Sequence, residues 1–340
     1  MTKFSIIIPL YNRPDEIKEL LDSLVYQDYK DFEVIVAEDG SSIPAEYVVK
    51  QYAGRLNIKY FTKANSGPGT TRNYGAERSD GEYIIFFDSD CIIPENYMTT
   101  VAQRLENNYS DCYGGPDAAM PNFTPVQKAI SYAMTSIIST GGIRGASEKA
   151  GKFHPRSFNM GFSRKVFITT GGFSTMRFGE DIDMTLRILE GGFTTQLIKD
   201  AFVYHKRRTD FRKFFRQVFN SGCARINLNR RHPGSLKIVH TLPACFLIGE
   251  IMCVLGAIAT AIIFKNWLAP LLCLSPLILL ALIVFIDSAR QNCIRVGFLS
   301  IAAVFIQLTA YGMGFLKAFF NTHILHKTND TTGFVRNFYK

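Results

Sequence analysis

The chain has 340 residues, of which 47% are hydrophobic, and a formal net charge of +9 at pH 7. This length leaves room for one α/β domain of roughly 200 to 250 residues and a further segment. The seven cysteines show no Cys-x-x-Cys spacing, which argues against a structural zinc site and indicates a reducing compartment.

Predicted strands and helices alternate over the first 110 residues. Apolar runs predict strands at residues 4–9, 32–37, 58–62 and 83–87. The segments between them predict helices at residues 14–26, 45–52 and 68–78. This alternation indicates a parallel sheet covered by helices on both faces, with a ligand site where the strands end.

Polar residues suited to a nucleotide follow the first three predicted strands. After the first strand come Tyr11, which can lie against a base, and Asn12; Asp39 after the second can accept hydrogen bonds from a base. The third strand leads through loop 65–69 into a helix whose first turns carry Arg72, a place that favours negative charge. Each loop is ordinary when taken singly, but together they predict a pocket for a nucleoside diphosphate.

Two carboxylates, Asp88 and Asp90, directly follow the fourth predicted strand. Such a pair can hold a hard divalent cation, which usually reaches a protein through one or two carboxylates and the phosphates of the substrate. A solvated turn is the usual interpretation of an isolated Asp-x-Asp. The preceding loops favour a metal and phosphate site instead.

The net charge is concentrated in residues 201–240, which contain ten Lys or Arg and one acid. Aromatic and aliphatic residues alternate with these charges at helical spacing. The segment 207–240 therefore predicts an amphipathic helix on an anionic cytoplasmic leaflet. Nucleic-acid binding is the rival interpretation, but the segment adjoins an apolar stretch and no nucleic-acid fold signature accompanies it.

Three apolar stretches, at residues 241–264, 268–286 and 297–320, are long enough to cross a bilayer. Arg290 and Arg295 lie in the predicted loop between the last two, which favours a cytoplasmic position for this loop and for the N-terminal domain. The polar tail 326–340 would then lie outside, although its basic residues argue against this. A third segment that only re-enters the membrane is the alternative. Glu250 is costly in lipid and predicts contact with another helix, in either a functional or a structural pairing.

Several blocks of residues occur in an order known from one enzyme family. They run from Ser5 to Asn12, from Asp39 to Ser41, from Asp88 to Asp90, from Arg164 to Phe173, and from Gly179 to Asp183. Together they resemble the family 2 glycosyltransferases, inverting enzymes of GT-A fold, over roughly residues 4–206. The resemblance implies an α/β GT-A domain over residues 1–206, with a Rossmann-like, mixed and mainly parallel sheet flanked by helices. The interfacial segment 207–240 and the apolar region 241–325 would follow it.

The resemblance also implies roles for individual residues. Asp181 is the implied base that takes the proton from the acceptor hydroxyl, and Glu180 orients Asp181 or the acceptor. Helix capping is the alternative for both carboxylates. The implied contacts of the nucleotide-sugar donor are Pro9, Tyr11, Asn12, Asp39, Arg72, Asp88 and Ser89.

A divalent cation, Mn²⁺ or Mg²⁺, is implied at Asp90 and Asp88, with Asp90 as the more direct ligand and His205 completing the shell. His205 also ends an apolar run, where a structural histidine fits the sequence as well. The Gly-rich, basic segment 141–156 predicts either a loop that closes over donor and acceptor or an ordinary surface loop.

Processive members of the family carry a Gln-x-x-Arg-Trp motif after the base, and residues 217–221 lack its Arg and Trp. The resemblance therefore implies transfer of a single sugar. The implied donor is a UDP-sugar, with GDP- and dTDP-sugars as alternatives. The implied acceptor is a lipid-linked glycan or glycolipid at the inner (cytoplasmic) membrane. Two other functions stay open: a polyprenyl-phosphate sugar synthase, and a catalytically silent membrane protein that binds nucleotide sugar.

Overall fold

The computed structural model describes residues 3–120, 122–140 and 153–326. These residues form two compact units. The α/β unit combines residues 3–120 with 153–206, and the helical unit combines residues 122–140 with 207–326. The predicted polar tail and most of the predicted loop 141–156 lie outside the described residues.

The α/β unit is built on a seven-stranded sheet, with a small three-stranded sheet beside it in the described part of the chain. The strands are β1 Phe4–Leu10, β2 Phe32–Asp39, β3 Ile58–Lys63, β4 Tyr83–Phe87, β5 Cys91–Ile92, β6 Cys112–Gly114, β7 Asp117–Ala118, β8 Asn159–Ser163, β9 Thr195–Leu197 and β10 Val203–His205. The larger sheet has the order β3-β2-β1-β4-β8-β6-β9, in which only β8 runs antiparallel to its neighbours. This confirms the predicted mixed, mainly parallel sheet.

Twelve α-helices are present in the described residues. They are α1 Pro14–Val25, α2 Glu46–Val49, α3 Pro68–Ala76, α4 Tyr97–Asn107, α5 Pro125–Thr135, α6 Ile137–Thr140, α7 Arg164–Thr170, α8 Glu180–Glu190, α9 Phe211–Arg231, α10 Leu242–Phe264, α11 Leu268–Gln291 and α12 Ile294–Phe319. The predicted helix over 45–52 is shorter than expected, because its second half, Lys50–Tyr52, tightens into a 3₁₀ turn.

The centre of the sheet positions the loops predicted to bind a ligand. Strands β1, β2 and β4 are almost entirely buried and mutually parallel, so their carboxyl ends open at one edge. In register, Leu10 pairs with Glu38, and Ile7 pairs with Phe86. Burying one aliphatic side chain such as Ile7 contributes roughly 1.5–3 kcal/mol, which makes this a firm base for the loops that follow.

Residues 122–140 interrupt the domain predicted over residues 1–206. Thr124 and Gln127 form a capping box at the start of α5. Ile130 is fully buried in a cluster with residues of α9, α11 and α12, and the Tyr132 hydroxyl donates a 2.6 Å hydrogen bond to Asp287 of α11. An amphipathic sequence pattern indicates that one face of a helix is buried, but it does not say which elements bury it. The sequence therefore does not assign this segment to the helical unit.

The basic segment 207–240 contains one long helix, α9. The sequence predicted that the apolar side of this helix contacts lipid, but other helices of the protein cover it. Phe214 and Val218 are buried among residues of α5 and α12. The helices α9 and α12 approach closely at Gly222 and Gly314, where an added Cβ would collide with a carbonyl oxygen of the other helix. The exposed basic residues of α9 are Arg212, Lys213, Arg216, Arg230 and Arg231. Their contact with an anionic leaflet stays a prediction.

Helices α10, α11 and α12 are each long and apolar enough to cross a membrane, among the residues that the structure describes. The loop between the last two is shorter than predicted, because α11 continues to Gln291 and α12 begins at Ile294, which leaves residues 292–293 between them. Arg290 and Arg295 therefore lie on helices. The predicted spans ended earlier because an apolar run stops at charged residues, whereas a helix can continue through them. Glu250 accepts a 2.8 Å hydrogen bond from Thr309 of α12, which confirms the predicted contact with another helix.

Candidate active site

Distant parts of the α/β unit meet at one buried arginine. Arg72 of α3 is 3% exposed, and its guanidinium donates to Asp88 Oδ1 at 2.6 Å and to Glu180 Oε1 at 3.1 Å. Asp88 follows β4 directly, whereas Glu180 begins α8, 108 residues after Arg72. The structure therefore brings together three residues that the sequence placed in separate blocks.

The local sequence explains where Arg72 lies. Gly67 has a φ of +98°, which a glycine adopts without strain, and Pro68 then starts α3 in its first turn. Arg72 follows one turn later, with its guanidinium 5.3 Å from the centre of the Phe173 ring. Two carboxylates and one aromatic face hold the guanidinium in a single orientation.

Burial and neighbouring charges set the protonation of this group. Burial, followed by the charge of Asp181, raises the pKa of Glu180 to about 7, although Arg72 opposes the shift. Burial acts to lower the pKa of Arg72, but the charges of Asp88 and Glu180 outweigh it and raise that pKa above its ordinary value. Arg72 therefore stays charged while Glu180 exchanges its proton near neutral pH.

Replacing Glu180 with glutamine is expected to stabilise the protein at pH 8 and to have little effect at pH 5. A raised carboxyl pKa means that the folded state binds the proton more tightly, so the contribution of Glu180 is fully present below pH 4.5 and is lost as the pH rises through about 7. The gain at pH 8 is on the order of 2–3 kcal/mol. Thermal unfolding of the full-length protein in detergent at both pH values measures it, with exposed Glu95→Gln as the control. An equal effect of Glu180→Gln at both pH values would contradict the shift.

Asp90 lies beside the first group and contacts two basic side chains. Its Oδ1 is 3.1 Å from His205 Nε2, and its Oδ2 accepts a 3.0 Å hydrogen bond from Arg13 Nη1. The antiparallel pairing of β5 with β10 sets His205 opposite Cys91, next to Asp90. The imidazole also stacks on Phe158, with ring centres 4.8 Å apart. The predicted neighbourhood of Asp90 and His205 is therefore present.

The donor atoms at this point suit a divalent cation that accepts both oxygen and nitrogen. Ligand atoms of Asp90, Cys91 and His205 all lie within 4.8 Å of one another. Burial raises the pKa of the Cys91 thiol well above its ordinary value. A carboxylate oxygen from Asp90 and an imidazole nitrogen from His205 are ligands that a divalent cation can accept. Asp88 is bound by Arg72, and its place in a metal shell stays a prediction.

Asp39 and Asn12 shape the loops around the site. The Asp39 carboxylate accepts hydrogen bonds from the backbone N–H groups of Ser66 and Gly67, both at 2.8 Å, and from the side chains of Lys63 and Asn65. These contacts fix the loop that leads into α3.

Asn12, with φ +55°, joins the loops that follow β1 and β2. Its Oδ1 accepts from the backbone N–H of Ser42 at 2.7 Å and of Ile43 at 3.1 Å. Pro9 lies in β1 opposite Ala37, Tyr11 is partly buried, and Ser89 is buried. The donor contacts predicted for these residues and for Asp39 stay predictions.

Asp181 is held by a basic residue that the sequence did not single out. Arg156 Nη1 lies 3.3 Å from Asp181 Oδ2, and Asp181 Oδ1 accepts a 2.8 Å hydrogen bond from the backbone N–H of Ile182. Arg13 at Asp90 is the second residue of this kind. Arg13 directly follows the block from Ser5 to Asn12, and Arg156 ends the Gly-rich, basic segment 141–156; these positions are the signal that the sequence offers for them.

Comparison with known proteins identifies the family. Residues 5–171 match the profile of Glycosyl transferase family 2. A Haemophilus influenzae protein named "Uncharacterized glycosyltransferase" is 33% identical over 216 residues, which cover 60% of this chain and 69% of that protein. The chain belongs to glycosyl transferase family 2.

Other relatives match a shorter part of the chain. Staphylococcus aureus TarS, a poly(ribitol-phosphate) beta-N-acetylglucosaminyltransferase, is 38% identical over 115 residues, or 33% of this chain and 20% of TarS. The Campylobacter jejuni GalNAc(5)-diNAcBac-PP-undecaprenol beta-1,3-glucosyltransferase is 32% identical over 117 residues, or 34% of this chain and 38% of that protein. The chain therefore spans only about a fifth of TarS.

Solved structures confirm the predicted GT-A fold. TarS residues 1–349 with UDP-GlcNAc align with a TM-score of 0.50 at 19% identity, covering 90% of each chain. The Pyrobaculum calidifontis mannosyltransferase PcManGT, solved with GDP-Man and Mn²⁺, aligns with a TM-score of 0.59 at 15% identity, covering 92% of this chain and 87% of that one. At these identities the likeness establishes the fold alone.

Proposed function

We propose that this protein is a metal-dependent inverting glycosyltransferase that adds a single sugar from a nucleotide-sugar donor to a membrane-presented acceptor. The observation that carries the proposal is the Arg72 bridge. It joins Asp88, at the end of β4, to Glu180, the neighbour of Asp181, in one buried group. This contact supports a single site that serves both donor and acceptor.

The donor is a nucleotide sugar, with a UDP-sugar as the first choice. Two structures of the same fold were solved with UDP-GlcNAc and with GDP-Man, which supports the donor class and leaves the base to experiment. Asp90 and His205 would hold the cation, which when bound neutralises charge on the donor diphosphate. Arg13, 3.0 Å from Asp90, supplies further positive charge at the same place.

Asp181 is the base in this proposal. The acceptor hydroxyl oxygen forms a bond to the anomeric carbon while the bond from that carbon to the diphosphate oxygen breaks. The electron pair leaves with the nucleoside diphosphate, and the hydroxyl proton passes to the Asp181 carboxylate. Arg156, 3.3 Å from Asp181, orients the carboxylate, and Glu180 supports it from the neighbouring position.

The acceptor is a lipid-linked glycan or a glycolipid. The Campylobacter relative is named for an undecaprenol-linked acceptor, and the helical unit of this chain carries helices apolar enough to enter a bilayer. We place the catalytic residues on the cytoplasmic side of the inner membrane, where nucleotide sugars are made.

Nucleotide release tests this proposal without knowledge of the acceptor. Full-length protein in membranes with Mn²⁺ is expected to release nucleotide from one of UDP-, GDP- or dTDP-sugars. In Asp90→Ala we expect release to fall by at least about 100-fold. Mn²⁺ affinity of the purified variant, followed by the EPR signal of the free ion, should fall by more than the roughly 10- to 100-fold that outer-shell changes cost.

The matched control is Asp80→Asn, an exposed aspartate that pairs with Lys59. It should leave both readouts unchanged. Unaltered Mn²⁺ affinity in Asp90→Ala would contradict the assigned metal site, and failure to release any of the three nucleotides would contradict the donor class.

A further inference from the structure

Helices α10 and α11 form an antiparallel hairpin with a defined tip and base. The tip is the short connection 265–267, and near it Thr260 Oγ1 lies 3.9 Å from Cys273 Sγ. The base therefore consists of the first turns of α10 and the last turns of α11. Exposed apolar side chains cover both helices along their length.

The contacts that fix the course of α12 lie toward the base of this hairpin. Near its start, Gly297 packs against Phe285 and Ala289, and Ser300 bonds Ser288 at 2.7 Å. These partners are the last turns of α11.

The second half of α12 reaches the first turns of α10. Phe305 packs on Phe246 with ring centres 5.8 Å apart, and Thr309 donates to Glu250 at 2.8 Å. Gly312 then lies against the backbone of Pro243, at the very start of α10.

These contacts fix the direction of α12. Gly297 and Gly312 are about 15 residues apart, which is about 22 Å along a helix. A third span running beside the hairpin would by Gly312 have climbed most of the way toward the tip. Gly312 instead meets Pro243 at the base, so α12 crosses the hairpin rather than running along it.

The environment of α12 differs from that of the other two helices. Protein buries 39% of its most apolar window, against 6% for α10 and 6% for α11, and its mean hydropathy of 1.7 is below their 2.3 and 2.7. The side turned away from the hairpin is covered by α5 and α9. Its exposed stripe has Arg295 and Lys317 at the ends and Phe298 and Met313 between them. The lower hydropathy and the larger share of protein contact set α12 apart from the two helices of the hairpin.

We propose that only the α10–α11 hairpin crosses the bilayer, and that α12 lies in the membrane interface across the base of the hairpin. The chain then enters and leaves the membrane on the same face, and residues after α12 lie on the face from which α10 enters. This topology replaces the three predicted spans. It also agrees with the sequence after α12, whose basic residues Lys327, Arg336 and Lys340 favour the same face as Arg290 and Arg295. The inference does not depend on the proposed enzymatic activity.

Labelling from one membrane face tests the number of crossings. Single cysteines replace Gln103 on α4, Asn266 at the hairpin tip, and Leu325 after α12, in full-length protein with Cys245 and Cys293 changed to alanine. A membrane-impermeant maleimide is added to vesicles of known orientation. We expect Leu325→Cys to be labelled from the same face as Gln103→Cys, and Asn266→Cys only from the opposite face. Labelling of Leu325→Cys from the same face as Asn266→Cys would show three crossings and overturn the proposal.

Depth measurement keeps the proposal testable if a tip variant does not insert. Nitroxide labels on Phe298→Cys, Ala302→Cys and Met313→Cys in the same background are compared by oxygen and nickel accessibility. We expect the three positions to report one shallow depth. Leu255→Cys in α10 gives the depth of a label inside the bilayer. If the depth changes along α12 from shallow to that of Leu255→Cys, α12 is not interfacial and the proposal is overturned.

Discussion

Asp181→Asn is expected to lower the kcat of sugar transfer by about 10³-fold, within the range for loss of a general base, while leaving donor binding almost unchanged. The amide is nearly the same size as the carboxylate and keeps an oxygen for the Ile182 N–H, but it cannot take a proton from the acceptor. Steady-state transfer from the nucleotide sugar identified by the release experiment measures kcat, and donor affinity is measured by calorimetry.

Asp183→Asn is the matched control for this prediction. Asp183 lies two residues along α8 and is buried against Arg187, with the nearest atoms 2.9 Å apart. Its replacement should lower thermal stability and leave kcat within a few-fold of the parent. A variant Asp181→Asn with full kcat would remove Asp181 from the role of base.

Arg72→Met is expected to destabilise the folded protein by about 3–5 kcal/mol, because it leaves the Glu180 carboxylate buried without its countercharge. The same change should abolish activity, since Asp88 and Glu180 lose their common partner. Thermal unfolding in detergent at pH 8, where Glu180 in the parent is ionised, measures the loss.

The double variant Arg72→Met/Glu180→Gln separates charge from packing. It should recover most of the stability lost in Arg72→Met, because the remaining Asp88 side chain is 32% exposed and can be solvated. Arg104→Met, a change of an exposed arginine in α4, should cost well under about 1 kcal/mol. If the double variant is no more stable than Arg72→Met alone, the countercharge is not what Arg72 supplies.

The strands, and the polar residues at their ends, are predictable from the sequence because local patterns determine them. An apolar run that ends in Asp88-Ser89-Asp90 must leave its carboxylates at a strand end, and parallel strands bring such ends to one edge. The proximity of Asp90 and His205 follows less directly, since it depends on the pairing of two very short strands, β5 and β10. The family resemblance supplied that pair where local pattern did not.

The partners of the arginines are not predictable in this way. Arg13 reaches Asp90 across 77 residues and Arg156 reaches Asp181 from the end of a long connection, so each contact is a product of tertiary packing. The helical unit shows the same limit on a larger scale. Hydropathy measures how apolar α12 is, and it is silent on whether lipid or protein covers the helix. In α9 and α12, other helices of the protein cover one face of each helix.

The place of α5 in the helical unit has a consequence for biosynthesis. Tyr132 and its partner Asp287 are 155 residues apart, and α5 packs on α12, which is made later still. A ribosome adding roughly 5–20 residues per second would take about 8–30 s to supply those partners. During that interval the apolar face of α5 has no native cover, even though strands β1 to β7 have already been made. The order of synthesis therefore makes α5 the segment that a chaperone or the membrane surface must shield until the last helix has been translated.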